Sequence, residues 1–320
     1  MPYNVFVTRQ IPEAGLDVLR PHCDPLDCAP ADRSASREEL LVGVRGRDGV
    51  LCSIGQRIDE EVLTAAGSRC RVFANFGVGT DHIDLAAADR LGITVTNTPG
   101  VLTDATADLA WTLLMAAARR VIEGDGLARS GRWAGWDPME LRGHDVAGRT
   151  LGIVGAGRIG TAVGLRSTGF RMPVLYVDDR NSPELDALGA RQVDLNTCLA
   201  ESDFVSLHTP LTEQTRHLIG PAELARMKPT AVLINTARGP VIDEPALIEA
   251  LRTHRIAAAG LDVYEGEPTV PPELAALENV VCLPHLGSAT YATRDRMAVM
   301  VARDLLAVLQ GSEPEHRVRP

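Results

Sequence analysis

Three residues in the second half of this chain, Arg238, Glu267 and His285, have the types and settings for proton transfer on an acidic substrate. Arg238 lies in Ile234-Asn235-Thr236-Ala237-Arg238-Gly239, Glu267 in Asp262-Val263-Tyr264-Glu265-Gly266-Glu267-Pro268, and His285 in Leu283-Pro284-His285-Leu286-Gly287. An arginine fork matches a carboxylate bidentately, so Arg238 suits the anchoring of an acid. A histidine titrates near neutral pH and can give a proton to a carbonyl oxygen. A carboxylate beside it, here Glu267, fixes the tautomer and favours the imidazolium. Singly, each residue has an ordinary alternative: a surface ion pair, a loop residue, a hydrogen-bonded structural histidine. Together they end three successive apolar runs that read as strands. Ligands of open α/β sheets collect at the carboxyl ends of strands.

The complementary chemistry lies upstream. Leu151-Gly152-Ile153-Val154 runs into Gly155-Ala156-Gly157-Arg158-Ile159-Gly160, then a helical segment, then Val174-Leu175-Tyr176-Val177 and Asp178. This order of strand, Gly-x-Gly-x-x-Gly, helix, strand and acid is a dinucleotide fingerprint. Gly155 allows the tight turn, Gly157 lets backbone approach a pyrophosphate, and Gly160 lets helix pack on strand. The phosphates would sit on the free N–H groups at the helix start, around Arg158 and Ile159. Asp178 would accept from ribose hydroxyls and repel a 2′-phosphate. Asp178-Asp179-Arg180 sets two acids against one arginine, so NAD(H) is expected over NADP(H). With a nicotinamide cofactor the consistent reaction is hydride to carbon and proton to oxygen: reduction of a 2-oxo acid, or its reverse.

The elements that must position these residues form two βα series. In the first, strands are expected at residues 4–7, 49–52, 71–74 and 93–96, with helices at 12–19, 60–66 and 84–91. A long apolar helix follows over 102–120, then a polar, glycine-rich segment, 123–149, that reads as irregular. In the second series six strands are expected, at 151–154, 174–177, 204–207, 231–234, 258–262 and 280–283. A last helix spans 289–309. Repeated βα units imply parallel sheets covered by helices. The expectation is α/β: two doubly wound parallel-sheet domains, with a Rossmann NAD domain (103–286) inserted in a flavodoxin-like substrate domain (1–102 and 287–320). The cleft between them is the expected active site.

Bulk properties agree. The 320 residues are too many for one ordinary core. The net charge of −10 argues against nucleic acid and acidic membranes as partners, because both need a basic patch. No apolar stretch approaches the roughly 20 residues of a membrane span, and the N-terminus does not read as a signal peptide. The six cysteines include no C-x-x-C pair, so they read as reduced thiols of a cytoplasmic protein, with no metal site.

Seven segments together resemble the D-isomer-specific 2-hydroxyacid dehydrogenases, nearest the glyoxylate/hydroxypyruvate reductase branch, over nearly the whole chain. They are residues 75–84 (Asn-Phe-Gly-Val-Gly-Thr-Asp-His-Ile-Asp), 97–103, the glycine fingerprint, 207–212, 235–239, 262–268 and 284–290. The resemblance implies that Arg238 anchors the substrate carboxylate, His285 is the acid/base and Glu267 its partner. It implies that the N–H groups of Val78 and Gly79 bind the same carboxylate. Asp262 would hold the nicotinamide amide, with Thr106, Thr209, Pro210, Thr236 and Gly287 as further cofactor contacts. His208 is expected as a cofactor-cleft residue, and His82 and His217 as structural. The family also implies a homodimer built on the 123–149 region, from which Trp136 or Met139 could reach a neighbour's pocket.

The resemblance implies NAD(P)H-dependent reduction of glyoxylate or hydroxypyruvate to the D-2-hydroxy acid. D-lactate, 3-phosphoglycerate and phosphite dehydrogenases share the chemistry. The phosphoglycerate type often adds a C-terminal regulatory domain, whereas this sequence stops soon after its last helix. Formate oxidation would not need a His–Glu acid pair. An NAD-sensing co-repressor scaffold uses the same fold, but it would normally carry recruiting extensions, and the intact Arg238, Glu267 and His285 disfavour it.

Overall fold

The computed structural model describes residues 1–30 and 32–320. Twelve strands follow in chain order: β1 (Tyr3–Val7), β2 (Cys23–Cys28), β3 (Gly49–Ser53), β4 (Val72–Phe76), β5 (Thr94–Thr96), β6 (Leu151–Val154), β7 (Val174–Val177), β8 (Arg191–Gln192), β9 (Phe204–Leu207), β10 (Val232–Asn235), β11 (Ala258–Leu261) and β12 (Val280–Cys282). A short β13 (Arg317–Val318) comes near the end of the chain. The residues divide into two units, Met1–Leu102 with Ser288–Pro320, and Thr103–Gly287.

In the first unit the sheet order is β2-β1-β3-β4-β5-β13. β1 to β5 are parallel in the flavodoxin-like order, and β13 is antiparallel on the β5 edge. The pleat explains the unbroken apolar runs. Val5, Val7, Leu51, Val72 and Ala74 face the helix Tyr291–Leu309, which buries Met297, Ala298, Val301, Ala302 and Leu305. Phe6, Val50, Cys52, Phe73 and Val95 face the other way, onto Leu40, Val62, Leu63 and Ala87. A strand buried on both faces has no polar alternation to display.

In the second unit the order is β8-β7-β6-β9-β10-β11-β12, parallel throughout. That is the dinucleotide-fold order with one further strand. Leu151, Ile153, Val174, Tyr176, Val232 and Ile234 face a core shared with the helix Thr103–Ala118, whereas Val154, Leu175, Val205, Leu207 and Leu233 face the opposite core.

Several expectations need correction. The second sheet has seven strands, not six: β8 is two exposed edge residues with no apolar signal. β2 was missed because Cys-Asp-Pro-Leu-Asp-Cys is polar and carries a proline, which an edge strand tolerates. The helix Arg37–Gly43 was also missed, although Ser36 and Glu39 form a capping box. Residues 123–149 are not wholly irregular, for a helix spans Val121–Arg129; it buries no residue, and Gly124 and Gly126 obscure its pattern. The helix Thr103–Ala118 packs in the core of the second unit, where Trp111 Nε1 donates to the Val163 carbonyl at 2.9 Å.

Candidate active site

The glycine turn is assembled by backbone geometry. Gly155 has φ +93°, and its N–H donates to the Val177 carbonyl at 2.8 Å. A Cβ on Gly160 would lie 1.9 Å from the Gly155 carbonyl oxygen, so only glycine lets the helix Arg158–Arg166 start there. A Cβ on Gly157 would meet nothing within 4 Å. The N-cap is Gly157 and no side chain caps the helix, so the first-turn amides of Arg158, Ile159 and Gly160 point outward without intrahelical acceptors. Asp178 is half-buried and braces the turn: Oδ2 accepts from Ala156 N–H at 2.8 Å and Oδ1 from Arg180 N–H at 3.0 Å. Each oxygen keeps a lone pair for a ribose hydroxyl. The buried hydroxyls of Thr209 and Thr236, past the ends of β9 and β10, have no hydrogen-bond partner among the described residues. Buried polar atoms are rarely left so, and these two fit a ligand with polar edges. The residues present therefore suit a dinucleotide.

The candidate catalytic side chains lie past neighbouring strand ends of the same unit. His285 Nδ1 lies 2.8 Å from Glu267 Oε2, and Glu267 Oε1 accepts from Tyr264 N–H at 3.1 Å. Burial alone would raise the Glu267 carboxyl. The His285 hydrogen bond and charge, the Tyr264 amide and the Arg238 charge outweigh it and hold the group below its usual value. With Glu267 ionised, Nδ1 carries the hydrogen it donates, and Nε2 is left for chemistry.

Asp262 fixes this turn. It is 1% exposed; Oδ1 accepts from Leu286 N–H at 2.6 Å, Oδ2 from Gly287 N–H at 2.8 Å, and its carbonyl from His285 N–H at 3.0 Å. His285 itself adopts φ +55°, a left-handed conformation that non-glycine residues rarely take. Thr106 Oγ1 donates to the Gly287 carbonyl at 3.2 Å. Burial raises the Asp262 carboxyl despite the two amides and the His285 charge. Arg238 is held by Asn235, whose Nδ2 donates to its carbonyl at 2.9 Å, while Arg238 Nη1 donates to the Ala237 carbonyl at 2.8 Å.

The remaining histidines differ from His285. His208 Nε2 lies 2.8 Å from Ser206 Oγ, and burial pushes its imidazole down to about 3, so it is neutral in ordinary buffers. His217 is bonded to Glu265. The His82 carbonyl accepts from Ile58 N–H at 2.9 Å. Among the described residues no group of three or more His, Cys, Asp or Glu side chains could hold a metal ion.

In the first unit, Val78 and Gly79 lie just past β4. Neither N–H has an acceptor among the described residues. Asn75 and Asn97, which sequence reading did not single out, decide where those N–H groups point. Asn75 Nδ2 donates to the Gly77 and Gly79 carbonyls at 3.1 and 2.9 Å, Thr98 N–H to the Gly77 carbonyl at 3.0 Å, and Asn97 Nδ2 to the Val78 carbonyl at 2.7 Å. In a trans peptide the carbonyl of one residue and the N–H of the next point opposite ways. Holding the carbonyls of Gly77 and Val78 turns the N–H groups of Val78 and Gly79 away from those donors, which makes the two amides a candidate anion-binding pair.

Residues 111–287 match the model of the D-isomer specific 2-hydroxyacid dehydrogenase NAD binding domain, over half of the chain. The chain belongs to the D-isomer-specific 2-hydroxyacid dehydrogenases. It is an oxidoreductase that uses a nicotinamide cofactor and reduces a 2-oxo acid to a 2-hydroxy acid. Among its relatives in this family, a glyoxylate reductase of Thermococcus gammatolerans is 50% identical over 319 residues, 98% of this chain and 95% of that one. A glyoxylate reductase from Paecilomyes thermophila superimposes with a TM-score of 0.88 at 34% identity, covering 99% of each chain. An NADPH-dependent glyoxylate/hydroxypyruvate reductase from Sinorhizobium meliloti, solved with NADP and malonate, gives 0.86 at 32% identity, covering 99% of this chain and 97% of that one. No helix among the described residues is long and apolar enough to cross a membrane.

Proposed function

We propose that this dehydrogenase reduces glyoxylate or hydroxypyruvate with NADH, giving glycolate from the first and a D-2-hydroxy acid from the second. The observation that carries the proton chemistry is the 2.8 Å contact between His285 Nδ1 and Glu267 Oε2, in a cluster that the Arg238 charge also reaches. The nicotinamide, when bound, supplies the hydride that ends on the substrate's carbonyl carbon. His285 gives the Nε2 proton to the carbonyl oxygen as that oxygen takes up the electron pair of the broken π bond. Glu267 stays ionised and stabilises the imidazolium that precedes the transfer. Arg238 offers its fork, and Val78 and Gly79 their N–H groups, to the substrate carboxylate. The pyrophosphate would rest on the first-turn amides of Arg158, Ile159 and Gly160 and the adenosine ribose on Asp178, with Thr106, Thr209, Pro210, Thr236, Asp262 and Gly287 toward the nicotinamide.

A panel of 2-oxo acids with NADH tests the substrate. Turnover of another 2-oxo acid, with glyoxylate and hydroxypyruvate no faster than a blank, would overturn the choice. Arg238→Ala should lower kcat/KM by about a hundredfold, with KM raised as well as kcat lowered. The preference for NADH rests on Asp178, which offers acceptors to a ribose and repulsion to a 2′-phosphate. A kcat/KM ratio favouring NADPH would sink it.

The proposed macromolecular partner is a second copy of this chain. Val121, Ile122, Trp133, Trp136 and Met139 are exposed, Trp136 at 84%, and the helix Val121–Arg129 buries no residue. Such a patch supports an interface between copies, with Trp136 or Met139 entering a neighbour's pocket. Sedimentation at one chain mass across the micromolar range would count against it. The six unpaired cysteines support a cytoplasmic setting.

A further inference from the structure

Asp304 is out of place. It sits in the helix Tyr291–Leu309 between Val301, Ala302, Leu305 and Leu306, all buried, and is itself only 4% exposed. A carboxylate in such a stripe is costly unless it is fully partnered. Its partners come from the C-terminal segment: Oδ1 accepts from Glu315 N–H at 3.0 Å, and Oδ2 lies 2.8 Å from His316 Nδ1. The segment so held continues as β13, which pairs Arg317 with Thr96 and Val318 with Val95. The His316 carbonyl accepts from Asn97 N–H at 3.2 Å. Asn97 is the residue whose side chain holds the Val78 carbonyl at 2.7 Å.

We propose that His316, anchored on Asp304, is a positioning residue for the substrate-binding N–H groups of Val78 and Gly79, acting through Asn97. The proposal rests on reading those two amides as the carboxylate cradle. Three contacts in series and one peptide plane connect the pair to the loop: Asp304 to the His316 ring, the His316 carbonyl to the Asn97 amide, the Asn97 side chain to the Val78 carbonyl, and then the Val78–Gly79 peptide that carries the Gly79 N–H. β5 is only three residues long and ends at Thr96. Its own ladder therefore stops before Asn97, and the C-terminal segment supplies the next bond. With the His316 ring gone, Asn97 keeps its sequence but loses the support that fixes its side chain. The Gly79 N–H then samples directions in which it no longer meets the carboxylate.

The test is His316→Ala against His316→Asn, whose Nδ2 can stand where Nδ1 stood. In His316→Ala, KM for the 2-oxo acid should rise about fivefold to tenfold, the loss of roughly one hydrogen bond's ordering. kcat and KM for NADH should stay within about twofold, because the proton and hydride machinery lies in the other unit. Backbone hydrogen exchange over residues 76–80 should quicken, and His316→Asn should restore both readouts. A chain shortened to end at Ser312 should show the same pattern more strongly. Unchanged exchange and an unchanged KM in His316→Ala would overturn the proposal. So would a uniform fall in kcat with KM for NADH raised equally, which is general loosening. Exchange does not depend on turnover, so a wild-type protein inactive on every 2-oxo acid would count against the proposed reaction and leave this result readable.

Discussion

The two units carry their candidate donors by different means. In Thr103–Gly287 the candidate chemistry is in side chains: the Arg238 fork, the Glu267 carboxylate and the His285 ring, with Glu267 and His285 2.8 Å apart. In the other unit the candidate donors are backbone N–H groups of Val78 and Gly79, and side chains serve only to aim them, with Asn97 holding the Val78 carbonyl at 2.7 Å. Side-chain chemistry is destroyed by changing one residue. Backbone chemistry survives such a change and is lost when the aim is lost.

The largest effect should come from the side-chain unit. His285→Ala should lower kcat by about 10²- to 10⁴-fold, the range for a removed general acid, with the dissociation constant of NADH nearly unchanged by fluorescence titration. Retention of most of the activity would mean that the proton comes from elsewhere and would break the contrast. Next is the cofactor side. Asp178→Ala should shift the NADPH-to-NADH ratio of kcat/KM upward by about tenfold or more, since charged hydrogen bonds are lost to the ribose and repulsion to a phosphate is relieved.

A third test reads stability. Glu267 is held below its usual value in the folded chain, so the unfolded chain takes up this proton first as pH falls. Its stabilisation is complete above the unfolded carboxyl value of about 4.3 and is lost as pH falls through the folded value. The Tm difference between wild type and Glu267→Gln should therefore be level from about pH 5 upward and shrink below about pH 4. A difference that stayed constant into acid would mean that the carboxylate is not specially held. The smallest effect should be Val78→Ala, which leaves the N–H in place: KM for the 2-oxo acid should move by less than about twofold. A tenfold rise would show that the side chain, not the backbone, carries that contact.

Legibility followed the same division. Gly155, Gly157 and Gly160, Asp178, Arg238, Glu267 and His285 stood out because their residue types are scarce in the pattern where they occur. Most strands stood out because burial on both faces makes them continuously apolar, as in Val5–Val7 or Leu233–Ile234. β2 and β8 did not, because an edge strand needs little apolar surface. The helix Val121–Arg129 did not, because it buries nothing. Asn75 and Asn97 look like any asparagine near a turn, and their work appears only when the carbonyls they hold are located.

The sequence by itself determined the residue types for a nicotinamide-linked reduction and the family that carries them. It also determined the order of βα units, because hydrophobic periodicity and glycine turns are local properties. The tertiary structure decided what local patterns cannot encode. It drew Asp262 under the 285–287 turn, set both oxygens of Asp304 against residues 315 and 316, and turned two backbone amides outward by gripping the carbonyls before them. Each depends on how the chain turns back on itself, and the direction of an N–H group leaves no trace in the identity of its own residue.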